Sequence, residues 1–252
     1  MSSILKIPKV QIALILFLIY LSALIKFPTS INFYLLIMGV GFTAGFDLLF
    51  TYLRKRVLFI PYAAIATGLI LTLIADQSLT LVQIVTISAL AMGIKNFLRV
   101  SGRHIFNPVA SGLFLGSLIF NQFTASWWAV SFQNISSFEN WPFFLILLSP
   151  ALVSIYRLKK HFMMLAFLVV NVIFTHRLFD PSTIFFLLVM LPEPMTSPVN
   201  KKMQLFYGAL VALIPFILSA TQITPLLTEN NISFDSLLFA LLLGNLIFFK
   251  YR

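Results

Sequence analysis

The chain has 252 residues, of which 60% are hydrophobic and only 10% are charged, and its mean hydropathy is +1.00. Soluble domains usually carry about 25% charged residues, so the composition excludes an ordinary soluble domain. It predicts an all-α integral membrane protein that forms one polytopic domain over residues 1–252. The sequence has a formal charge of +10 and no cysteine, which excludes thiolate-bound iron–sulfur clusters, thiolate-bound zinc and disulfides within the chain.

Ten apolar stretches are candidate transmembrane helices, which need about 20 mostly apolar residues each. In chain order they cover residues 9–25, 32–53, 57–75, 79–94, 105–121, 141–156, 161–178, 181–192, 203–222 and 235–249. The eighth is short, so eight full spans and two partial ones fit nearly as well. Five spans lie on each side of the 122–140 loop, so the half-repeats, approximately 1–121 and 141–252, would have opposite orientations in the membrane.

The basic residues support this arrangement of spans. If the N-terminus lies inside, 15 of the 17 Lys and Arg residues fall on the cytoplasmic side, and only Lys26 and Arg177 fall outside. Such an asymmetry is the positive-inside pattern of membrane proteins. It places both termini in the cytoplasm and explains the positive charge as a topology signal, so we expect no nucleic-acid partner.

A polar cluster stands directly before the fifth span, in the stretch GRHIFNPVASG. Asn107 suits a helix N-cap and Pro108 suits the first helical position. Arg103 and His104 precede them, and Ser111 belongs to a run of small residues that lets a backbone or planar ligand approach closely. The pattern predicts a helix that begins within the protein and directs its positive end at a bound group. Alternatively, the charged residues only anchor the helix at the lipid surface.

A second interrupted segment, LPEPMTSPVNKK, covers residues 191–202. Its closely spaced prolines cannot lie inside a regular helix, and irregular backbone at membrane depth is tolerated where it lines a cavity. Glu193, Thr196 and Ser197 are its candidate ligand-binding residues. Both interrupted segments fall on the cytoplasmic side, so they either share a ligand site or form two separate loops.

Two polar residues lie inside predicted spans. Asp47 is the acidic residue of the second span, where a carboxylate usually faces the bundle interior and is functional; otherwise it is a partner for Arg54. Asn245 lies in the last span, where asparagine is most often a hydrogen-bonding link between helices. Both are candidates for an ion pathway. The sequence shows no nucleophile beside a base, no metal-ligand cluster and no phosphate-binding loop, so no catalytic residue or metal site is predicted.

The two interrupted segments resemble motifs of a known membrane family. GRHIFNPVASGLFLG, followed about 80 residues later by FFLLVMLPEPMTSPVNKKMQLFYGALVALIPFIL, is similar to the family that contains the D-type membrane subunit of the Rnf electron-transport complex and the B-type subunit of the sodium-pumping NADH:quinone oxidoreductase. The matching positions are Phe106, Asn107, Pro108, Glu193, Pro194, Thr196, Ser197, Pro198, Leu205, Gly208, Ala209 and Leu210. Asp47 and the terminal LLLGN also have counterparts, so the resemblance covers most of the chain.

The resemblance implies ten helices in two inverted halves, a membrane-embedded flavin, and electron transfer across the membrane between partner proteins, coupled in the large complexes to cation movement. It implies a bacterial or archaeal cytoplasmic membrane and makes the chain a component of an oxidoreductase complex rather than an autonomous enzyme. Asn107 and the helix end after Pro108 would bind flavin carbonyls or phosphate. Arg103 and His104 would supply positive charge, and Glu193 and Thr196 would close the site from the second half.

The sequence departs from the family pattern in two places. Family members often carry FMN linked to a threonine in an outer-loop pattern D-G-x-S-x-A-T, which the loop at 122–140 lacks. We therefore expect a non-covalent flavin, either riboflavin or FMN. Glu193 stands where the family usually has aspartate, which lengthens the carboxylate's reach by one methylene. The main alternative is a secondary transporter or channel for a small polar solute or cation without redox function. A scaffold subunit that has lost its cofactor is a third interpretation.

Overall fold

The computed structural model describes residues 8–133, 138–176, 180–221 and 233–252, and these residues confirm the all-α prediction. Lys6 and Arg177, which belong to the predicted charge pattern, lie outside the described residues. The strands in the described part of the chain are β1 (Arg99–Val100) and β2 (Arg103–His104), which pair antiparallel. Gly102, between them, has a φ of 79°, a left-handed conformation that glycine adopts without strain.

Five long helices form the first part of the chain. They are α1 (Pro8–Lys26), α2 (Ser30–Lys55), α3 (Tyr62–Ile74), α4 (Leu81–Phe97) and α5 (Pro108–Phe120). Thr80 and Gln83 form a capping box at the start of α4, which satisfies backbone N–H groups that have no partner within the helix. The predicted span at 57–75 began too early, because Arg56 turns left-handed at a φ of 56° and ends α2, and helix resumes only at Tyr62.

The second part of the chain contains shorter and less regular helices. They are α6 (Trp128–Ser131), α7 (Trp141–Leu148), α8 (His161–Thr175), α9 (Pro181–Phe185), α10 (Lys201–Ala220) and α11 (Ser236–Phe248). Two of them continue as π-helix, α7 into Leu152–Arg157 and α9 into Phe186–Met190. The wider π turns leave carbonyl groups without their usual helical partners, and the Ser154 hydroxyl donates to the Leu188 carbonyl over 2.6 Å. This bond ties the two π-helices together.

Glycines allow the closest helix contacts. Gly68 of α3 lies against Val40 of α2, where an added Cβ would stand 2.7 Å from the Val40 Cα. Gly208 of α10 lies against the backbone of α8 at Met163. Helix α11 packs between α5 and α10 and so joins the two parts of the chain. The apolar core is continuous across both parts.

Three helical stretches in the described part of the chain are long and apolar enough to cross a membrane, namely Ser30–Lys55, Phe138–Arg157 and Lys201–Ala220. The other helices contribute shorter apolar stretches of 10–17 residues, among them Val10–Lys26 within α1. Large hydrophobic side chains are exposed on the outer faces, among them Ile25 at 73% and Ile37 at 66%. Outward-facing apolar side chains of this kind are unusual in a soluble protein, where extended apolar patches are rare.

Candidate functional site

The two interrupted segments meet inside the protein. His104 Nε2 lies 3.0 Å from Glu193 Oε1, and the Thr196 hydroxyl donates to Glu193 Oε2 over 3.0 Å. His104 and Thr196 are buried, whereas the Glu193 side chain keeps 22% exposure. Both oxygens of the carboxylate therefore have partners, one from each segment. The structure brings these predicted residues into one site.

The first segment is shaped by its turn and its cap. The β1–β2 hairpin ends at His104, and the chain then enters α5 through Asn107, whose Oδ1 accepts a hydrogen bond from the Ala110 N–H over 3.0 Å. Pro108 occupies the first helical position, as its missing N–H and fixed φ favour. The Ser111 hydroxyl donates back to the Pro108 carbonyl at 3.0 Å, so Ser111 supports the helix start.

The second segment is a compact turn that presents Glu193. The Ser197 hydroxyl and its N–H both donate to the Glu193 carbonyl oxygen, at 2.7 and 3.0 Å. Asn200 then caps α10, its Oδ1 accepting from the Lys202 N–H at 2.9 Å. Because prolines remove several backbone donors here, side chains replace the helical hydrogen bonds and fix the direction of Glu193.

Asn245 joins the start of α5 to α10. Its Oδ1 accepts from the Asn107 N–H over 2.8 Å, and its Nδ2 donates to the Tyr207 hydroxyl oxygen over 2.8 Å. Asn245 and Tyr207 are fully buried. These contacts agree with the interpretation of Asn245 as a link between helices. The Asn245 side chain lies beside the N-terminus of α5.

Two cations bind carbonyl groups of the interrupted segments. Arg252 Nη1 donates to the His104 carbonyl at 2.5 Å and to the Met195 carbonyl at 3.2 Å, one in each segment. Lys160 Nζ, which is buried, donates to the carbonyls of Pro198 and Ser197 at 2.7 and 3.3 Å. These contacts hold the segments in place without using carboxylates.

Burial, with a smaller contribution from the positive charge of Arg103, lowers the pKa of Lys160 from 10.5 to about 8. Between these two values the unfolded chain binds a proton that the folded chain releases, so the free energy of unfolding rises with pH, by about 1.4 kcal/mol per pH unit. We expect this rise from pH 8 to pH 10.5 in chemical denaturation of the detergent-solubilised protein. Lys160→Met is expected to flatten it, whereas Lys159→Met, which changes the adjacent lysine, keeps it. An identical slope in all three proteins would contradict the prediction.

A cavity of about 270 Å³ opens beside the His104–Glu193 contact. Its polar lining includes Lys95, Arg99, His104, Asn107 and Glu193. Its walls are mainly apolar and come from both parts of the chain: Ile12, Ala63, Ala66, Ile70, Val109, Val153, Leu158, Val189 and Pro192. An apolar cavity with a few convergent polar groups is typical of small-molecule sites.

Asp47 forms an ion pair with Lys95, and Lys95 lines the cavity. Its Oδ2 lies 3.1 Å from Lys95 Nζ, and its Oδ1 accepts from Asn96 Nδ2 over 2.9 Å. The Thr51 hydroxyl donates to Asn96 Oδ1 at 3.0 Å, which completes a buried polar group between α2 and α4. The expected alternative partner of Asp47 was Arg54; the structure instead gives the ion pair to Lys95, while Arg54 lies 3.5 Å from Asn96 Oδ1.

The structure sorts the predicted site residues into three groups. His104, Asn107, Pro108 and Glu193 line the cavity. Thr196, Ser197, Ser111 and Asn245 lie behind these residues and orient them, as their hydrogen bonds show. Arg103 is exposed on the hairpin and lies outside the cavity lining.

Sequence reasoning missed the two cations that do line the cavity, Lys95 and Arg99. They are four residues apart, with Lys95 in the last turn of α4 and Arg99 in β1, and in the sequence they count only as topology charges. Their spacing would place them on one face if the helix continued, which is a weak signal. The hairpin that turns Arg99 inward could not be seen in the sequence.

Comparison with protein-family models gave no match to this chain, and a search of curated proteins gave none either.

Proposed function

We propose that the chain is a multi-pass membrane protein with ten spans in two inverted halves, inserted in a bacterial or archaeal cytoplasmic membrane with both termini in the cytoplasm. Several observations support this. Helices occupy the positions of the predicted spans, three of them are long and apolar enough to cross a bilayer, and apolar side chains face outward. Shorter helices can span when the bilayer thins or their flanking residues reach the interface.

Within that framework we propose that the cavity binds a flavin without a covalent bond and that the protein is an electron-transfer subunit. The observation that carries this is the meeting of the two interrupted segments at one cavity, through His104 and Glu193 at 3.0 Å. A bound flavin supplies one- and two-electron transfer, while the protein sets its position and electrostatics. Partner proteins would deliver and accept the electrons.

The residues present fit the chemistry of a flavin ring. Aliphatic side chains and prolines cover much of the cavity wall, as a flat aromatic ring requires, and His104 and Asn107 provide polar groups at one side. The volume of about 270 Å³ is just below the usual range for ligand sites, about 300–1,000 Å³, so a bound flavin would leave little of the cavity empty. Lys95 and Arg99 stabilise negative charge in the cavity, the role first expected of Arg103.

The first test is an absorption spectrum of the protein purified in mild detergent with flavin supplied, followed by acid precipitation. We expect near-stoichiometric flavin in the supernatant. A colourless protein would overturn the proposal, and flavin that stays with the precipitate would contradict the non-covalent attachment.

Glu193→Ala is expected to lower the flavin-to-protein ratio at least fivefold, because it removes the partner that orients His104. Hydrogen bonds to charged groups contribute about 1.5–3 kcal/mol, which is tenfold or more in affinity. Glu139→Ala, at an exposed glutamate in the described part of the chain, is the matched control and should leave the ratio unchanged. Equal flavin content in the two variants would exclude the assigned role of Glu193.

One observation favours a different function. The buried Asp47–Lys95 ion pair lies beside the cavity, and a carboxylate inside a span commonly marks an ion or solute pathway. A transporter or channel for a small polar solute would use the same interrupted segments. Solute-dependent flux in liposomes by a protein without flavin would favour this second function. Loss of this flux in Asp47→Asn would show that the Asp47 carboxylate belongs to the solute pathway.

A further inference from the structure

A second, open cleft of about 580 Å³ lies between the β1–β2 hairpin and the 3₁₀ turn Phe249–Tyr251 that follows α11. Its lining, which we call the basic cleft, consists of Val100, Ser101, Arg103, Phe249, Lys250 and Arg252. The cavity beside His104 and Glu193 shares none of these residues. The hairpin joins α4 to α5, so the basic cleft lies where three helices end or begin, and in the proposed topology this is the cytoplasmic side.

The basic cleft is lined by three cations, Arg103, Lys250 and Arg252, and by no carboxylate. Among the described residues no carboxylate oxygen lies within 4.0 Å of any of the three. Lys160 adds a fourth positive charge in electrostatic range of Arg103, and Glu193 is a carboxylate in range of Arg252. Glu193 contributes one negative charge at most, and so does a carboxylate after Arg252 if the chain ends there. An excess of positive charge therefore remains in this part of the structure.

The cations keep hydrogen-bond donors that the protein does not use. The side chains of Arg103 and Lys250 are exposed and have no acceptor among the described residues. Arg252 uses Nε and Nη1 for carbonyl groups, whereas its Nη2 has no acceptor in this part of the chain. Lys250 Nζ and the Arg252 guanidinium carbon each lie 5.8 Å from the centre of the Phe249 ring. Such cation–π contacts position the cations and leave their charge unneutralised.

The cations of the basic cleft also repel one another. Burial lowers the pKa of Arg252, and the charge of Arg103 lowers it further, while Glu193 acts in the opposite direction. Arginine nevertheless keeps its charge in proteins. An anion bound between Arg103 and Arg252 would replace this repulsion with attraction to both.

Large apolar side chains border the basic cleft. The exposed fractions are 57% for Phe97, 48% for Leu98, 42% for Val100 and 51% for Tyr251. A soluble anion would use the cations alone, whereas a phospholipid presents an anionic headgroup together with acyl chains. Basic pockets at the cytoplasmic ends of transmembrane helices are typical sites for anionic phospholipid headgroups. The combination of unpaired cations and exposed apolar side chains therefore favours a lipid.

We propose that the basic cleft binds the phosphate headgroup of an anionic phospholipid, with the acyl chains lying along the apolar side chains that border it. Arg103 can bind phosphate oxygens through paired hydrogen bonds, as guanidinium groups commonly do. Lys250 and Arg252 add charge on the opposite wall. This inference rests on the proposed insertion in the membrane and is independent of the flavin.

The experiment is native mass spectrometry of the delipidated protein in detergent micelles that contain equal amounts of phosphatidylglycerol and phosphatidylcholine. The two lipids are chosen with the same acyl chains, so a preference reports the headgroup. Each basic residue near an anionic lipid surface contributes about fivefold in affinity. With three cations in the basic cleft, we expect the first bound lipid to be phosphatidylglycerol at least about tenfold more often than phosphatidylcholine.

The chain offers a matched pair of double variants. Arg103→Gln with Lys250→Gln should lower the preference at least about fivefold, and each single change should lower it less. Lys55→Gln with Arg56→Gln removes the same two charges from exposed positions outside the basic cleft and should keep the preference. Arg252 is left unchanged, because its contacts with carbonyl groups hold the two interrupted segments. Equal thermal unfolding midpoints without lipid would show that the variants are folded.

The other outcomes overturn the inference in distinguishable ways. Equal binding of the two phospholipids by the unaltered protein would remove the lipid site while membrane insertion stands. The same loss of preference in both double variants would indicate general attraction to positive charge. Binding of inorganic phosphate or of a polyglutamate peptide to the lipid-free protein as tightly as phosphatidylglycerol would assign the basic cleft to a soluble anion or an acidic protein. A protein that stays in solution without detergent would overturn the membrane insertion and this inference together.

Discussion

Gly208→Ala is expected to destabilise the protein strongly, although it adds only one methyl group. An alanine Cβ at this position would overlap the Met163 carbonyl oxygen and stand 2.9 Å from its carbon. The obstacle is backbone, so α8 and α10 must separate, and they pack against each other along much of their lengths. Overpacking of this kind costs about 1–3 kcal/mol, occasionally more, and we expect about 3 kcal/mol at this position. The measurement is the unfolding midpoint in detergent, which should fall.

Gly41→Ala is the matched control. Gly41 lies within α2, and a Cβ added there meets no atom within 4 Å. Alanine is about 1 kcal/mol more favourable than glycine in a helix interior, so this variant should unfold at the same temperature as the unaltered protein or slightly higher. Equal loss of stability in the two variants would show that the loss in Gly208→Ala does not come from the contact between α8 and α10.

The second large effect is expected for Asn245→Leu. The substitution keeps the approximate size of the side chain but removes both hydrogen bonds, leaving the Asn107 N–H and the Tyr207 hydroxyl buried without this partner. Each such group costs about 1–3 kcal/mol, so we expect a loss of about 3 kcal/mol. Because Asn245 fixes the start of α5, flavin content should also fall several-fold.

Leu246→Ala separates this effect from a general weakness of α11. Leu246 is the next residue on the same helix, and its side chain is 48% exposed. We expect it to lose less than about 1 kcal/mol and to retain flavin, since exposed positions are usually tolerant. If Asn245→Leu unfolds at the same temperature as Leu246→Ala, the buried hydrogen bonds do not stabilise the protein. Tyr207→Phe, which removes only one of the two bonds, should give an intermediate result.

Much of this fold could be predicted from the sequence, because its strongest signals are local. Apolar stretches and helix caps depend on neighbouring residues only. The helix starts at Pro108 and Lys201 follow from Asn107 and Asn200 beside them. The start of α3 was missed, since the chain leaves α2 through a left-handed turn at Arg56, a conformation that arginine rarely adopts, and becomes helical again only at Tyr62.

Parts of the candidate site could be predicted for the same reason, and the other parts could not. His104, Asn107 and Glu193 stood out as polar residues at the breaks in apolar stretches. Arg99 and Arg103 look equivalent in the sequence, and only the pairing of the two short strands decides which of them lines the cavity. Such a choice depends on tertiary geometry, which composition and spacing do not record.

The π-helix at Phe186–Met190 has a consequence for how the chain tolerates insertions and deletions. A π turn accommodates one residue more than the corresponding α turn. Losing a single residue there would convert the stretch to α-helix, and because the π turn holds the extra residue, the chain after it would keep its direction. A deletion inside a regular α-helix would instead rotate everything after it by about 100° around the helix axis. Glu193 follows the π-helix directly, so we expect the loss of one residue within Phe186–Met190 to leave the contact between Glu193 and His104 within reach.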